Sequence, residues 1–319
     1  MKTENLVVQL SSGLRIHVER HLVNPDFETI VLVNGALATT ASFGVTLRYV
    51  TERYNAICYD LPHAGQSRAL NAGHEGLLTV QDEADILVEV IDRFQATLLA
   101  SVSWGGVSAL LALGSGQTRI RRAAICSFSP VVNDAMRDYA LGARQLVIAN
   151  QYGEAAKLLN DTVGKYLPRL IWLQNYRYLA RLPKGPFGAQ IVFHIDQVLG
   201  LDREKYIDVF RHIECPVLFV NGDQDEYTTP ADVLELGNYI RQARFSVLPG
   251  CGHFIDLEGK EQRELLRGET LQFFAEESFG RETVAREGMA GSTLRAHQTS
   301  LLGNIRSLLQ ADGFVPNQG

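Results

Sequence analysis

The sequence predicts an α/β protein whose central sheet is mostly parallel and whose core strands are interrupted by a helical cap. Two features of the pattern support this class. In residues 1–132, short apolar runs alternate with segments whose apolar residues recur at helical spacing, as in βαβ units. Strand-like runs then give way to helical patterns over residues 133–205 and return at "CPVLFVNG" and "FSVLPG". A helical block between strands of one sheet is most simply a lid on that sheet.

The elements of the first half follow in order. The runs "LVVQL" and "RIHVE" predict an antiparallel pair joined at Ser11-Ser12-Gly13. "TIVLVNG" is nearly all apolar, as expected of a strand buried on both faces. A helix from Thr40 to about Arg53 and the strand "NAICYDLP" come next, and Thr79 is the expected N-cap of the helix in "TVQDEADILVEVIDRF". "LLASVS", its following helix and "RRAAICSFSP" complete the βαβ pattern.

These patterns divide the chain into four predicted segments. Residues 1–132 form the first part of the core, residues 133–205 the cap, and residues 206–279 the second part of the core, which ends in a helix from about Leu257 to Phe279. Residues 280–319 form a Gly-, Ser- and Gln-rich extension, flexible except for one short amphipathic helix predicted around Leu301 to Leu309.

Composition excludes several functional classes. The chain has 319 residues, 46% of them hydrophobic and 21% charged, as in an ordinary soluble globular protein. A formal charge of −6 disfavours general nucleic-acid binding. Four cysteines without a CxxC pair are expected to be reduced, and no His/Cys/carboxylate group has metal-site spacing, so no metal is expected. With neither an apolar signal sequence nor a membrane-spanning run, a cytoplasmic location is predicted.

The stretch "LASVSWGGVSALLAL" carries the first chemical signal. A strand, a sharp turn and a helix place the hydroxyl of Ser103 at the carboxyl edge of a parallel sheet. Small residues flank it because the turn is tight, with Ser101 where a first glycine is usual and Gly105 after it. Taken alone this pattern is weak, since serine is common in turns. With a neighbouring base to take its proton, the hydroxyl becomes a nucleophile.

Two polar residues that follow later strands complete the pattern. Asp225 follows "PVLFVNGDQ" and His253 follows "FSVLPGCG", so the chain order is Ser, Asp, His, that of the α/β-hydrolase triad. His253 would take the Ser103 proton, and Asp225 would orient the imidazole. Either residue alone would be an ordinary loop residue. Three other acids remain weaker candidates for the acid role: Asp223, Glu226 and Asp256.

The turn after the first central strand predicts an oxyanion hole. In "VNGALATTASF", the pair Asn34-Gly35 stands where α/β-hydrolases usually have His-Gly. The backbone N–H groups of Ala36 and Trp104 would then stabilise the charge that develops on the substrate oxygen. The alternative is a plain strand-to-helix turn with the same geometry.

Eight stretches extend the similarity beyond the triad: "LRIHVER", "LVNGALATTASF", "DLPHAGQSR", "SVSWGGVSALLAL", "LLNDTVGKYLP", "FHIDQVL", "NGDQDEYTT" and "GHFIDLE". Over roughly residues 6–260 the chain resembles the RhlA family of 3-(3-hydroxyalkanoyloxy)alkanoic acid synthases of rhamnolipid biosynthesis and the related PhaG 3-hydroxyacyl carrier-protein thioesterases or transacylases. The resemblance implies a synthase that forms an acyl-enzyme on Ser103 and condenses two 3-hydroxyacyl thioesters. The alternatives are release or transfer of a single 3-hydroxyacyl chain, or general esterase activity.

The resemblance also implies a water-excluding acyl tunnel, substrates carried on phosphopantetheine or coenzyme A, and no separate cofactor. Apolar and aromatic cap residues suit the tunnel walls, although about half of them would equally serve helix packing. Residues 157–184 contain six basic residues and one acid, so an acidic acyl carrier protein is the expected partner at this face. A solvated helix face explains the same charges. The predicted substrate-binding residues are Asn34, Leu37, His63, Tyr166, Trp172, Tyr176, His194 and Tyr227.

Overall fold

Within the residues that the computed structural model describes (1–74, 76–183, 186–201 and 203–276), eight strands form one sheet. They are β1 (Lys2–Gln9), β2 (Arg15–Leu22), β3 (Thr29–Val33), β4 (Asn55–Tyr59), β5 (Leu98–Val102), β6 (Arg122–Cys126), β7 (Val217–Gly222) and β8 (Ala243–Leu248). Their order is β1-β2-β4-β3-β5-β6-β7-β8. The β1–β2 and β2–β4 pairs are antiparallel and the others parallel, which confirms the predicted fold class.

The helices in the same residues are α1 (Thr46–Val50), α2 (Ser67–Leu70), α3 (Val80–Phe94), α4 (Gly105–Gly114), α5 (Asp134–Ile148), α6 (Tyr152–Asp161), α7 (Arg169–Leu179), α8 (Pro186–Leu199), α9 (Arg203–Phe210), α10 (Pro230–Leu234), α11 (Ile255–Glu258) and α12 (Lys260–Ala275). Thr79 caps α3, as predicted, and the structure adds a capping box with Asp82. The helix predicted from Thr40 to Arg53 is instead a 3₁₀ turn, Thr40–Gly44, followed by the short α1.

Alternate side chains of the central strands enter two separate cores, which explains why these strands read as continuous apolar runs. In β3, Ile30 and Leu32 pack into the core on one face of the sheet, whereas Val31 and Val33 pack into the core on the other. All four side chains are buried. Helices therefore cover both faces, as a parallel sheet requires.

Five helices, α5 to α9, lie between β6 and β7. The first four share an apolar cluster, here called the cap core, built around Val147, Tyr152, Leu179 and Ile191. The fifth packs on α4, and its Phe210 belongs to the sheet core instead. The predicted boundary between residues 205 and 206 thus falls inside α9, whose apolar residues face the sheet domain. The extension predicted for residues 280–319 lies outside the described residues.

Candidate active site

Ser103 occupies a strained turn between β5 and α4. Its φ is +54°, in the left-handed region that non-glycine residues rarely adopt. The start of α4 lies directly against the end of β3, and only a glycine at position 105 allows this approach. A Cβ on Gly105 would lie 2.4 Å from the Asn34 carbonyl oxygen. Ser101, in place of the usual first glycine, is fully buried. The strain and the tight approach together present the Ser103 hydroxyl at the edge of the sheet.

The structure brings Ser103, His253 and Asp225 into one hydrogen-bonded chain. His253 Nε2 lies 3.0 Å from Ser103 Oγ, and His253 Nδ1 lies 2.8 Å from Asp225 Oδ2. Asp225 and His253 are each 4% exposed. Asp225 also accepts hydrogen bonds from the backbone N–H groups of Tyr227 and Thr228 at 2.9 and 3.1 Å. This geometry can move a proton from the hydroxyl to the imidazole while the carboxylate fixes the ring.

Electrostatics keep the Asp225 carboxylate ionised. Burial raises the pKa of Asp225, but the charge and hydrogen bond of His253, together with the hydrogen bond from Thr228, outweigh it and hold that pKa below its usual value. An ionised Asp225 stabilises the positive charge that His253 gains when it accepts a proton.

The competing acids lie in other interactions. Asp223 accepts the Gly250 N–H at 2.7 Å and serves a turn. Glu226 forms an ion pair with Lys165 at 2.9 Å. Asp256 is partly buried and accepts hydrogen bonds from the hydroxyls of Thr46 and Tyr49. Of the four candidate acids, Asp225 is therefore the one that is hydrogen-bonded to His253.

Two polar residues that the sequence did not single out fix the loop of His253. The Glu258 carboxylate accepts the N–H groups of Gly252 at 2.7 Å and Phe254 at 2.9 Å, the residues on either side of His253. The Ser127 hydroxyl donates to the His253 carbonyl oxygen at 2.7 Å. Sequence patterns do not mark either residue. Ser127 is far from His253 in the chain, and Glu258 is an ordinary acidic residue of a short helix.

The turn from Asn34 to Leu37 lies beside the Ser103 turn. A Cβ on Gly35 would lie 3.2 Å from Ser103 Cβ, so this backbone passes directly against the serine. The N–H groups of Ala36 and Trp104 have no hydrogen-bond partner within the described part of the chain. Leu37 has φ +61°, and its carbonyl oxygen accepts a 3.0 Å hydrogen bond from the Tyr178 hydroxyl of α7. The two adjacent turns thus each offer one unpaired N–H donor, and the turn from Asn34 to Leu37 is tied to the cap.

Trp104 contacts the buried Glu83 and the partly buried His194. Its indole N–H donates to Glu83 Oε2 of α3 at 3.0 Å, and its ring centroid lies 4.5 Å from that of His194 on α8. Burial raises the pKa of Glu83 to about 8 and lowers the pKa of His194 to about 4, so both groups are mostly uncharged at neutral pH. The sequence analysis did not single out Glu83. The feature that could have indicated it is a carboxylate beside the apolar face of the amphipathic helix α3.

Of the other predicted substrate-binding residues, two lie beside the triad and two lie on α7. Tyr166 packs on Gly252, beside His253, and Tyr227 lies next to Asp225. Trp172 and Tyr176 stack on one another on α7, with ring centroids 5.4 Å apart.

His63 does not join this group in the structure. Its Nε2 lies 3.0 Å from the Gly76 carbonyl oxygen, and its ring stacks on His74. These contacts hold His63 in its turn. The Asn34 side chain is only partly paired. Its Nδ2 is buried and has no hydrogen-bond partner among the described residues, whereas its Oδ1 accepts a hydrogen bond from the Ser42 hydroxyl at 2.6 Å.

The basic cap face is partly neutralised. Lys157 contacts Asp161, and Lys165 pairs with Glu226. Arg169, Arg177 and Arg181 are exposed and have no ion-pair partner in the described ranges. Lys184, the last member of the predicted face, lies outside them.

Two further features lie apart from the triad. Glu19 and His21 of β2 and Cys58 of β4 place potential metal-ligand atoms within 4.8 Å of one another, a juxtaposition across two strands that sequence spacing missed. A cavity of about 460 Å³ lies among α5, α6 and α8, lined by residues that include Val147, Tyr152 and Val192. No triad residue lines it. Among the described residues, no helix is long and apolar enough to cross a bilayer.

Comparison with known proteins places these features in a family. Residues 30–265 match the alpha/beta hydrolase family. The chain is 41% identical over 273 residues to an (R)-3-hydroxydecanoyl-ACP:CoA transacylase of Pseudomonas aeruginosa, covering 86% of this chain and 90% of the relative. It is 40% identical over 274 residues to the protein of the same name from Pseudomonas putida, covering 86% and 92%.

Solved structures agree at the level of the fold. MGS-M2, an alpha/beta hydrolase enzyme from a Medee basin deep-sea metagenome library, superposes with a TM-score of 0.70 at 17% identity, covering 87% of this chain and all of that one. The esterase EaEST of Exiguobacterium antarcticum also reaches 0.70 at 17% identity, covering 85% and 99%. The family match, the relatives and the fold agree: this chain belongs to the alpha/beta hydrolase family.

Proposed function

We propose that the protein is a serine acyltransferase that moves a 3-hydroxyacyl chain from an acyl carrier protein thioester to an acceptor thiol, through an acyl-enzyme on Ser103. The observation that carries the proposal is the Ser103–His253–Asp225 chain, at 3.0 and 2.8 Å, beside unpaired backbone donors. The names of the relatives, (R)-3-hydroxydecanoyl-ACP:CoA transacylases, support the acyl group and the acceptor. They favour the transacylase alternative over the synthase that the sequence resemblance put first.

In the first half-reaction, Ser103 Oγ attacks the thioester carbonyl carbon and passes its proton to His253 Nε2. The N–H groups of Ala36 and Trp104 donate to the oxygen that becomes negative. When the intermediate collapses, the C–S bond breaks and His253 returns the proton to the leaving thiolate. The products are a free carrier thiol and an ester between the acyl chain and Ser103.

In the second half-reaction, His253 takes the proton of the acceptor thiol, and its sulfur attacks the acyl-Ser103 ester. The new C–S bond forms as the bond to Ser103 Oγ breaks, and His253 protonates the serine. Asp225 stabilises the imidazolium in both halves. The proposed chemistry needs no cofactor beyond the thiols of the two substrates.

The nature of the second nucleophile separates the candidate activities. Coenzyme A gives the transacylase product, water gives the free acid, and the 3-hydroxyl of a second acyl chain gives the dimeric ester of the synthase. All three use the same triad. Docking of an acidic carrier protein on the cap would involve Arg169, Arg177 and Arg181, the exposed arginines without ion-pair partners in the described ranges.

The test is to incubate purified protein with 3-hydroxydecanoyl carrier protein, with and without coenzyme A, and record product masses beside Ser103→Ala. We expect 3-hydroxydecanoyl-coenzyme A to form only with the acceptor present and only with Ser103. A dimeric hydroxyacyl ester would establish the synthase instead. Turnover that survives in Ser103→Ala would refute the acyl-enzyme.

A further inference from the structure

The imidazole of His194 lies one side chain away from the proposed nucleophile. Trp104 directly follows Ser103, and the Trp104 and His194 rings meet edge to face with centroids 4.5 Å apart and planes at 67°. Trp104 cannot turn away freely, because Glu83 holds its indole N–H at 3.0 Å and only 8% of the residue is exposed. His194 therefore packs against the residue that directly follows the reacting serine.

One ring atom of His194 lacks a hydrogen-bond partner among the described residues. His194 Nε2 is buried and has no hydrogen-bond partner among the described residues. A buried polar atom without a partner destabilises the protein, so such atoms are rare without a structural or ligand-binding reason. Burial also lowers the pKa of His194 to about 4, so the ring is neutral at physiological pH. In a neutral imidazole only the nitrogen without a proton accepts a hydrogen bond, so Nε2 accepts one from a hydroxyl group when Nδ1 carries the proton.

We propose that His194 Nε2 recognises the 3-hydroxyl group of the acyl chain and makes the enzyme selective for 3-hydroxyacyl over unsubstituted acyl substrates. The proposal rests on the proposed function, since it assumes a 3-hydroxyacyl chain on Ser103. The 3-hydroxyl is attached two carbons from the carbon that Ser103 attacks, so it binds close to the residues flanking the serine. An unsubstituted chain leaves Nε2 unpartnered, whereas the hydroxyl supplies the missing donor.

The experiment compares kcat/KM for acylation by 3-hydroxydecanoyl and decanoyl thioesters of the same carrier. We expect the natural protein to prefer the hydroxylated chain by about tenfold or more, because a site built around a hydroxyl rejects the analogue that lacks it. His194→Phe keeps a ring against Trp104 but removes both nitrogens, and should bring the ratio close to one. His194→Gln restores a polar atom on a flexible side chain and should recover part of the preference.

The matched control is His212→Phe, the same substitution at an exposed histidine after α9, which should leave the preference unchanged. His194 would be shown to serve packing alone if His194→Phe kept the natural preference, or if it slowed both substrates equally. Mass spectrometry of acyl-Ser103 distinguishes failure of the selectivity proposal from failure of the proposed function. If the natural protein forms the acyl-enzyme from both chains with equal efficiency, the selectivity proposal is wrong although the nucleophile is right. If it forms neither, the proposed function itself is wrong.

Discussion

Replacing Glu83 with glutamine tests whether a buried acid under the proposed oxyanion donor is protonated at neutral pH. The Glu83 side chain is 4% exposed and contacts the indole N–H of Trp104. Burial raises its pKa from 4.5 to about 8, in spite of the Trp104 hydrogen bond. A glutamine has the same shape and still accepts the indole N–H, but it carries no titratable proton.

The sign and size of the effect follow from proton linkage. Between pH 4.5 and about 8 the folded protein holds a proton on Glu83 that the unfolded chain has lost, so Glu83 reduces stability as the pH rises through this interval. Each pH unit changes the free energy of unfolding by about 1.4 kcal/mol, so the whole interval amounts to roughly 3 to 5 kcal/mol. The effect is nearly absent at pH 4.5 and complete above pH 8.

The assay is urea unfolding of the natural protein and Glu83→Gln at several pH values between 5 and 9. The stability of the variant relative to the natural protein should increase by a few kcal/mol across this range, whatever constant offset the amide introduces. Asp85→Asn, an exposed acid on the same helix, is the control and should show no such trend. A pH-independent difference between Glu83→Gln and the natural protein would mean that Glu83 is ionised in the fold.

Three further substitutions test the site, and a fourth, away from it, is the control for the last of them. Asp225→Asn should lower kcat by about 10³- to 10⁴-fold in a thioester assay with little loss of folding, since the amide no longer stabilises charged His253; a loss below tenfold would contradict the triad. Tyr178→Phe, which removes the hydroxyl that donates to Leu37, should lower kcat several-fold with KM unchanged, and an unchanged kcat would mean that the cap does not position this turn. Gly105→Ala should destabilise the fold by about 1–3 kcal/mol in denaturant titrations. By contrast, Gly268→Ala, in open space on α12, should stabilise it by about 0.5–1 kcal/mol; equal effects would refute the steric account.

The sequence located the residues of the candidate triad because topology brings them together. Ser103, Asp225 and His253 each follow a parallel strand, β5, β7 and β8, and the carboxyl ends of parallel strands share one edge of a sheet. Asp223 could be separated from Asp225 only by geometry, since both lie in the same turn. The hydrogen bond to His253 made that distinction.

What the sequence missed are contacts that depend on how loops and strands fold against one another. Glu258 belongs to a short helix whose acids could equally face solvent, and its bonds to the neighbours of His253 depend on the fold of that loop. Glu19 and Cys58 lie opposite one another only through the β2–β4 register, which no local pattern encodes. His63 shows the reverse case: a histidine in a recognisable loop whose contacts in the structure are with Gly76 and His74.

The triad alone cannot select among a thiol, a hydroxyl and water, since its three groups perform the same proton transfers for each. Selection must therefore come from the groups that surround the acyl chain and admit the second nucleophile. Two cap residues contact the neighbourhood of the proposed oxyanion donors: Tyr178, bonded to the turn that contains Ala36, and His194, packed on Trp104. Both proposed oxyanion donors thus have a neighbour in the cap. Binding of an acyl chain beneath the cap would then affect recognition and charge stabilisation together, and substitutions in α7 or α8 should change kcat as well as substrate preference.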